Sequence, residues 1–211
     1  MIVLGITGGT GAGKTSALRV LEKLGAYLID CDALYYEMLR PGTPLHTAVG
    51  ETFGWEMFDE AGALNRKKLG EMVFTQPEAL KRLNGIIYRY LGEEIERRVA
   101  RQRRDGTRAV AVDGINMIQA RQAGLFRCDC MVGVVAPDAL RLRRIMQRDG
   151  IDADYAQKRI DAQPGNDFYR EHCDAILENV YQDPARFEEA VKTFFENLIY
   201  LYEKENYHGE Q

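Results

Sequence analysis

The stretch Gly8-Gly-Thr-Gly-Ala-Gly-Lys-Thr15 decides how the rest of this chain is interpreted. The apolar run from Met1 to Thr7 before it is typical of a short buried strand, and Ser16 to Leu24 after it carries leucines at helical spacing. A strand, a glycine-rich turn and a helix, in this order, are the context in which the pattern predicts a phosphate-binding loop. The loop in turn predicts an α/β fold, in which a parallel sheet is flanked by helices.

The residue types of the loop fit the chemistry of a phosphate chain. Glycines permit unusual backbone angles and a close approach of the ligand, and successive N–H groups at a helix N-terminus attract anions. Lys14 is predicted to reach the β- and γ-phosphates of ATP, and the Thr15 hydroxyl to take a Mg²⁺ position. The predicted ATP-binding residues of the loop are Gly9, Gly11, Ala12, Gly13, Lys14, Thr15 and Ser16.

Length and composition indicate one domain of moderate size. With 211 residues, 45% of them hydrophobic, the chain is long enough to bury a full core. The formal net charge of -4 argues against nucleic-acid binding, and the short apolar N-terminal run predicts neither a signal peptide nor a membrane span. Four cysteines without zinc-type spacing indicate reduced thiols. We therefore expect a cytoplasmic protein whose partners are small molecules.

Two carboxylates, Asp30 and Asp32, follow the second predicted strand and precede a helical segment. In a doubly wound parallel sheet, ligands bind beyond the carboxyl ends of the strands. One of the two is suited to cap the helix, because aspartate is favoured at that position. A carboxylate here is equally suited to accept the proton of a hydroxyl that attacks a phosphoryl group. From the residues alone, capping and general base catalysis both stay open.

Three arginines, Arg141, Arg144 and Arg148, follow a fourth predicted strand at spacings that put them on one helix face. Two interpretations stay open: a solvated basic stripe, or guanidiniums that face ATP phosphates or stack on adenine. The helix ends at Asp149-Gly150, and a short helical segment follows before the last strand. This arrangement predicts a mobile lid over about residues 149–171, since lids exclude water from phosphoryl transfer.

Nearly the whole chain, from residue 2 to about residue 195, resembles the dephospho-CoA kinase family, whose fold is of the P-loop NTPase type. The most specific matches are Thr7 with the loop, and the segment Leu24-Gly-Ala-Tyr-Leu-Ile-Asp-Cys-Asp32. Weaker matches follow in the family's order: Pro41-Gly42, Phe53-Gly54, Asn65-Arg66 with Leu69, Leu83-Asn84, Arg144 to Gly150, Ile160 with Gln163, and Asp174 with Asn179. The resemblance implies a single P-loop kinase domain over 1–211. Its core covers about 1–32, 106–148 and 172–203, its helical acceptor region about 33–105 and its small lid about 149–171.

The resemblance also implies a reaction, the transfer of the γ-phosphoryl group of ATP to the ribose 3′-hydroxyl of 3′-dephospho-CoA. Asp32 matches the second acid of the family's D-x-D motif and is implied as the general base, and Lys14 as the group that stabilises the migrating phosphoryl. Arg144 and Arg148 are implied to bind ATP from the lid side, and Arg66 to contact the acceptor.

The chain departs from the family pattern in three places. Tyr88-Arg89 stands where the family usually has His-Pro, and Gly114 to Ile118 replaces a loop that usually reads Pro-Leu-Leu-Phe-Glu. Tyr169 replaces a lysine, with Arg170 beside it as an expected substitute. These changes concern the acceptor side, so two alternatives stay open: a related kinase with another acceptor, and a nucleotide-binding regulator without turnover. An acceptor screen would identify the first, and nucleotide binding without ADP production the second.

Overall fold

The computed structural model describes residues 1–114 and 116–207, which form two compact units. One unit contains residues 1–29 and the described residues from 99 onward, and the other contains residues 30–98. Ile115, in the segment where the sequence departs from the family pattern, lies outside the described residues.

A parallel β-sheet carries the phosphate loop. Its strands are β1 (Ile2–Gly8), β2 (Tyr27–Asp30), β3 (Ala109–Asp113), β4 (Cys130–Val135) and β5 (Ala175–Glu178). They lie in the order β2-β3-β1-β4-β5, and β1 pairs in parallel with both β3 and β4, as β4 does with β5. The apolar residues of β1, β3 and β4 are buried on both faces, as in central strands that are covered by helices. The predicted fold class is confirmed.

Helices account for most of the remaining chain. In chain order they are α1 (Lys14–Lys23), α2 (Cys31–Met38), α3 (Pro44–Phe53), a short 3-10 helix (Trp55–Met57), α4 (Arg66–Thr75), α5 (Pro77–Arg104), α6 (Met117–Gln122), α7 (Asp138–Asp149), α8 (Ala153–Asp161), α9 (Asn166–His172) and α10 (Pro184–Tyr207). The sequence predicted a loop through Gly114–Ile118, but Met117 and Ile118 are buried apolar residues that begin α6. Within the described ranges, no helix has the length and apolar character needed to cross a membrane.

The main core fixes the two elements that flank the phosphate loop. Leu4 of β1, Leu21 of α1 and Phe195 of α10 are each 0% exposed and belong to one apolar cluster on a face of the sheet. Burying a side chain of this size contributes roughly 1.5–3 kcal/mol. The strand before the loop and the helix after it are therefore held in place by packing.

The unit of residues 30–98 has an apolar core of its own. Leu45 and Val49 of α3 pack with Leu69 and Val73 of α4 and with Leu83 of α5. Leu45 and Val49, like Leu69 and Val73, are four residues apart, so each pair lies on one face of its helix.

Candidate functional site

The phosphate loop joins β1 to α1 with the geometry that an anion site requires. Gly13 has φ 108°, and α1 begins at the next residue. No side chain of the described residues caps this helix, and its first intrahelical bond is donated by Ala17 N to Gly13 O. The amides of Lys14, Thr15 and Ser16 precede that bond, so they have no intrahelical acceptor and are available to an anion.

Side chains from distant parts of the sequence hold the carbonyl groups of three successive loop residues. The bonds run from Nε of Arg141 to Thr10 O (2.9 Å), from Nη1 of Arg144 to Gly11 O (3.2 Å) and from Nδ2 of Asn179 to Ala12 O (2.8 Å). A carbonyl oxygen that points at a phosphate would repel it. Because these three oxygens accept bonds from the protein, they are held away from that role.

Arg144 and Asn179 form one connected network behind the loop. Nη2 of Arg144 donates to Oδ1 of Asn179 at 3.1 Å and to Tyr181 O at 2.7 Å. Burial lowers the pKa of the Arg144 guanidinium. Asn179 is only 2% exposed, and its amide is bonded through both its oxygen and its nitrogen. The network therefore supports the loop from outside.

Lys14 lines a small cavity with polar and apolar walls. Its Nζ forms an ion pair with Oδ1 of Asp113, the last residue of β3. The cavity has a volume of about 70 Å³ and is lined by Thr7, Gly8, Lys14, Asn116, Ile118, Gln119, Gln163, Pro164, Phe168 and Tyr169. Asp113 is thus placed to orient the lysine ammonium. Thr15, the predicted Mg²⁺ ligand, is exposed at the start of α1.

The predicted lid contacts the loop through Gln163, which follows α8. Oε1 of Gln163 accepts a hydrogen bond from Thr10 N at 2.7 Å. Tyr169 of α9 is 6% exposed and lines the cavity, and burial raises the pKa of its hydroxyl. Arg170, the expected substitute for a lysine, instead donates to Oε1 of Glu178 at 2.6 Å.

Arg148 is bonded to the end of its own helix. Its Nε and Nη2 donate to the two carboxylate oxygens of Asp149 at 2.7 and 2.9 Å, and Arg159 of α8 pairs with the same carboxylate. The bonds from Arg148 lower the pKa of Asp149 to about 2. Burial differs along the face that carries the three arginines, since Arg141 is 1% exposed whereas Arg148 is exposed.

The predicted site residues of the second unit, Asp32 and Arg66, are exposed. Asp30 caps α2, because its Oδ1 accepts from the backbone N–H groups of Asp32 (2.9 Å) and Ala33 (3.0 Å). Asp32 is exposed in the first turn, and its carboxylate is not the cap. Arg66 begins α4, donates to the hydroxyl of Tyr36 at 2.7 Å, and lies 4.0 Å from the centre of that ring.

Sequence reasoning missed the roles of Arg141, Gln163 and Asn179 in holding the loop. Gln163 and Asn179 stood among the residues that match the family, but nothing in their local sequence signals which backbone atom they bind. For Arg141 the sequence left open a solvated basic stripe or a guanidinium that faces ATP, and neither interpretation includes a bond to the loop backbone.

The sheet order and the loop together define a P-loop nucleotide-binding protein. Solved structures agree: a Thermus thermophilus protein aligns with a TM-score of 0.72 at 25% identity, covering 95% of this chain and 97% of that one. A dephospho-CoA kinase from Campylobacter jejuni has the same fold, with a TM-score of 0.59 at 21% identity over 92% and 96% of the two chains.

Sequence relatives identify the family. A sequence model of dephospho-CoA kinase matches residues 2–183. A dephospho-CoA kinase of Geobacter metallireducens is 36% identical over 85% of this chain and 88% of its own length, and one of Bacillus licheniformis is 32% identical over 84% and 88%. The chain belongs to the dephospho-CoA kinase family. The predictions of this family, and of an ATP-dependent kinase that acts in coenzyme A synthesis, are confirmed.

Proposed function

We propose that this chain transfers the γ-phosphoryl group of ATP to the ribose 3′-hydroxyl of 3′-dephospho-CoA and releases CoA and ADP. The observation that carries the proposal is the loop, whose helix-start amides are uncapped by any described side chain and whose carbonyls are held by Arg141, Arg144 and Asn179. Membership of the family supports the identity of the acceptor.

The residues of the loop fit a bound Mg²⁺–ATP complex. The amides at the start of α1 would hold the phosphates together with those of the glycine-rich turn, and Lys14 would bind the transferred group. The exposed hydroxyl of Thr15 would hold Mg²⁺, which when bound neutralises charge on the β- and γ-phosphates. Asp113 would keep the Lys14 ammonium oriented before and after transfer.

We assign the general base to Asp32. Its carboxylate would take the proton of the 3′-hydroxyl as that oxygen bonds to the γ-phosphorus, and the bond to the β–γ bridging oxygen breaks so that ADP leaves with its electron pair. Two observations support this role: Asp32 is exposed, and capping of α2 is already supplied by Asp30.

The remaining residues are proposed to bind rather than to react. Arg144 would act on ATP from behind the loop, and Arg148 would exchange its bonds to Asp149 for a phosphate. Arg66, stacked on Tyr36, would contact the acceptor within a helical region of about residues 33–105. We further propose that residues 149–171 act as the lid and that the enzyme works in the cytoplasm on small-molecule substrates.

The test is ADP production with Mg²⁺–ATP and 3′-dephospho-CoA, in the wild type, Asp32→Asn and Asp30→Asn. Asp32→Asn is expected to lower kcat by a factor of roughly 100 to 10,000, the usual contribution of a general base. Asp30→Asn is the matched control, because asparagine caps a helix about as well as aspartate. Equal losses in the two variants would remove the assignment of the base. ATP binding without turnover of dephospho-CoA would leave another acceptor, or a regulator without turnover, as the better account.

A further inference from the structure

Arg141 is the most deeply buried charged side chain of the described residues, at 1% exposure. Its Nε donates to Thr10 O at 2.9 Å, and its Nη1 donates to Oδ1 of Asp138 at 3.0 Å. Its Nη2 is buried and has no hydrogen-bond partner in the described part of the chain. A buried guanidinium nitrogen without a partner is costly, so its presence needs an explanation.

The unpaired nitrogen lies directly against the phosphate loop. A Cβ atom built on Gly9 would be 2.6 Å from Nη2 and 2.9 Å from Cζ of Arg141. Only a glycine at this position lets the guanidinium approach the loop backbone so closely. The contact is therefore part of how the first half of the loop is shaped.

The charge of Arg141 is only partly compensated by its carboxylate partner. The Asp138 side chain is 63% exposed, so water screens its charge, whereas the guanidinium is enclosed. Tyr169 lines the cavity, and burial raises the pKa of its hydroxyl. The positive charge of Arg141 counteracts part of this increase, so its field reaches the cavity wall. A buried positive charge thus lies against the backbone of the loop.

Thr10 is held through both of its backbone polar groups. Arg141 binds its carbonyl from α7, and Gln163 binds its N–H at 2.7 Å from the end of the predicted lid. Thr10 therefore has little freedom to turn its carbonyl toward a ligand.

We propose that Arg141 is a positioning residue for the polyphosphate of a nucleotide. It anchors the Gly9–Thr10 part of the loop and adds a buried positive charge to the partial charges of the loop amides. This rests on the proposed function only in that ATP binds at this loop, and it makes no use of the acceptor.

The experiment compares Arg141→Gln, Arg141→Lys and the control Arg143→Gln. Arg143 lies two positions away on the same helix and is exposed. Calorimetry without acceptor gives the Kd for AMP, ADP and ATP with Mg²⁺, and steady-state kinetics give KM for each substrate.

Arg141→Gln is expected to weaken ATP binding about tenfold, which is the usual effect of losing one hydrogen bond to a charged group. The binding of ADP is expected to weaken less, and that of AMP least. KM for dephospho-CoA is expected to stay unchanged. Arg141→Lys restores most of the affinity because it restores the charge, and Arg143→Gln binds like the wild type.

Wild-type affinity in Arg141→Gln would overturn the proposal. So would an equal loss for all three nucleotides that lysine does not restore, since that is the result of a merely structural role. If Arg141→Gln does not fold, Arg141→Lys decides the question. This variant must bind the three nucleotides in the wild-type order of affinity, with a Kd for ATP within about threefold of the wild type. Any other result would overturn the proposal. A wild type that binds ATP but ignores dephospho-CoA would contradict the proposed function and leave this test valid.

Discussion

The phosphate loop and the helical unit of residues 30–98 present their predicted site residues in opposite ways. Loop carbonyls are bonded by side chains 131 to 167 residues away, two of which, Arg141 and Asn179, are almost fully buried. Asp32 and Arg66 are exposed, and Arg66 lies over the exposed ring of Tyr36. On the proposed function, donor binding would therefore rest on a buried frame, and acceptor recognition on a few exposed side chains. Changes at the loop should consequently have the larger effects.

The strongest test of the buried frame is Gly13→Ala. Gly13 has φ 108°, and a Cβ there would overlap Nδ2 of Asn179. The strain and the overlap are expected to distort the loop that binds the phosphates. We expect the binding free energy of ATP to fall by on the order of 3 kcal/mol, which is roughly a hundredfold rise in Kd.

Gly25→Ala is the matched control for Gly13→Ala. Gly25 also has a positive φ, 87°, but nothing lies within 4 Å of its Cβ position. Gly25→Ala is therefore expected to introduce backbone strain alone, which lowers the free energy of unfolding by about 1–2 kcal/mol. Its Kd for ATP is expected to stay unchanged. If both variants bind ATP equally well, the contact between Gly13 and Asn179 does not shape the loop.

Asn179→Ala is expected to have the next largest effect. It leaves the Ala12 carbonyl and one Arg144 nitrogen without this partner, at a cost of about 1–3 kcal/mol in the free energy of unfolding. Denaturant unfolding measures the loss, and calorimetry with ATP is expected to show weaker binding in parallel. Asn206→Ala, on an exposed turn of α10, serves as control. Equal stability of the two variants would contradict the role of Asn179.

Arg66→Ala tests the exposed side of the comparison. An exposed ionic contact contributes about 0.2–1 kcal/mol, so KM for dephospho-CoA is expected to rise up to about fivefold while KM for ATP stays constant. Lys67→Ala, the adjacent exposed cation, is the control. A larger rise in KM for ATP than for dephospho-CoA would show that Arg66 does not contact the acceptor.

The smallest effect is expected from the ion pair between Arg148 and Asp149. The pKa of Asp149 is lowered to about 2, so its stabilising contribution is full above the usual aspartate pKa and is lost as pH falls toward 2. The difference in Tm between the wild type and Asp149→Asn should therefore shrink over that interval. Glu60→Gln, at an exposed carboxylate, is the control. A difference that stays constant with pH would show that Arg148 is not held by this carboxylate.

The sequence predicted the strands and the loop because both depend on local patterns. The apolar run of β1 and the glycines before Lys14 leave few other structures open. The contacts that hold the loop were not predictable in this way. Arg141 and Arg148 share a residue type and a helix face, yet only the first is enclosed, because α7 packs against the loop at that end. Burial of a polar residue depends on the tertiary neighbour, which local spacing does not reveal.

The bonds that hold the loop carbonyls also set an order of events during synthesis. The motif is made before the side chains that bind Thr10, Gly11 and Ala12, which belong to residues 141, 144 and 179. Contacts so distant in sequence form late in folding. A nascent chain that ends before Asn179 carries the complete motif without this contact, so full affinity for nucleotide should arise only after residue 179 has left the ribosome.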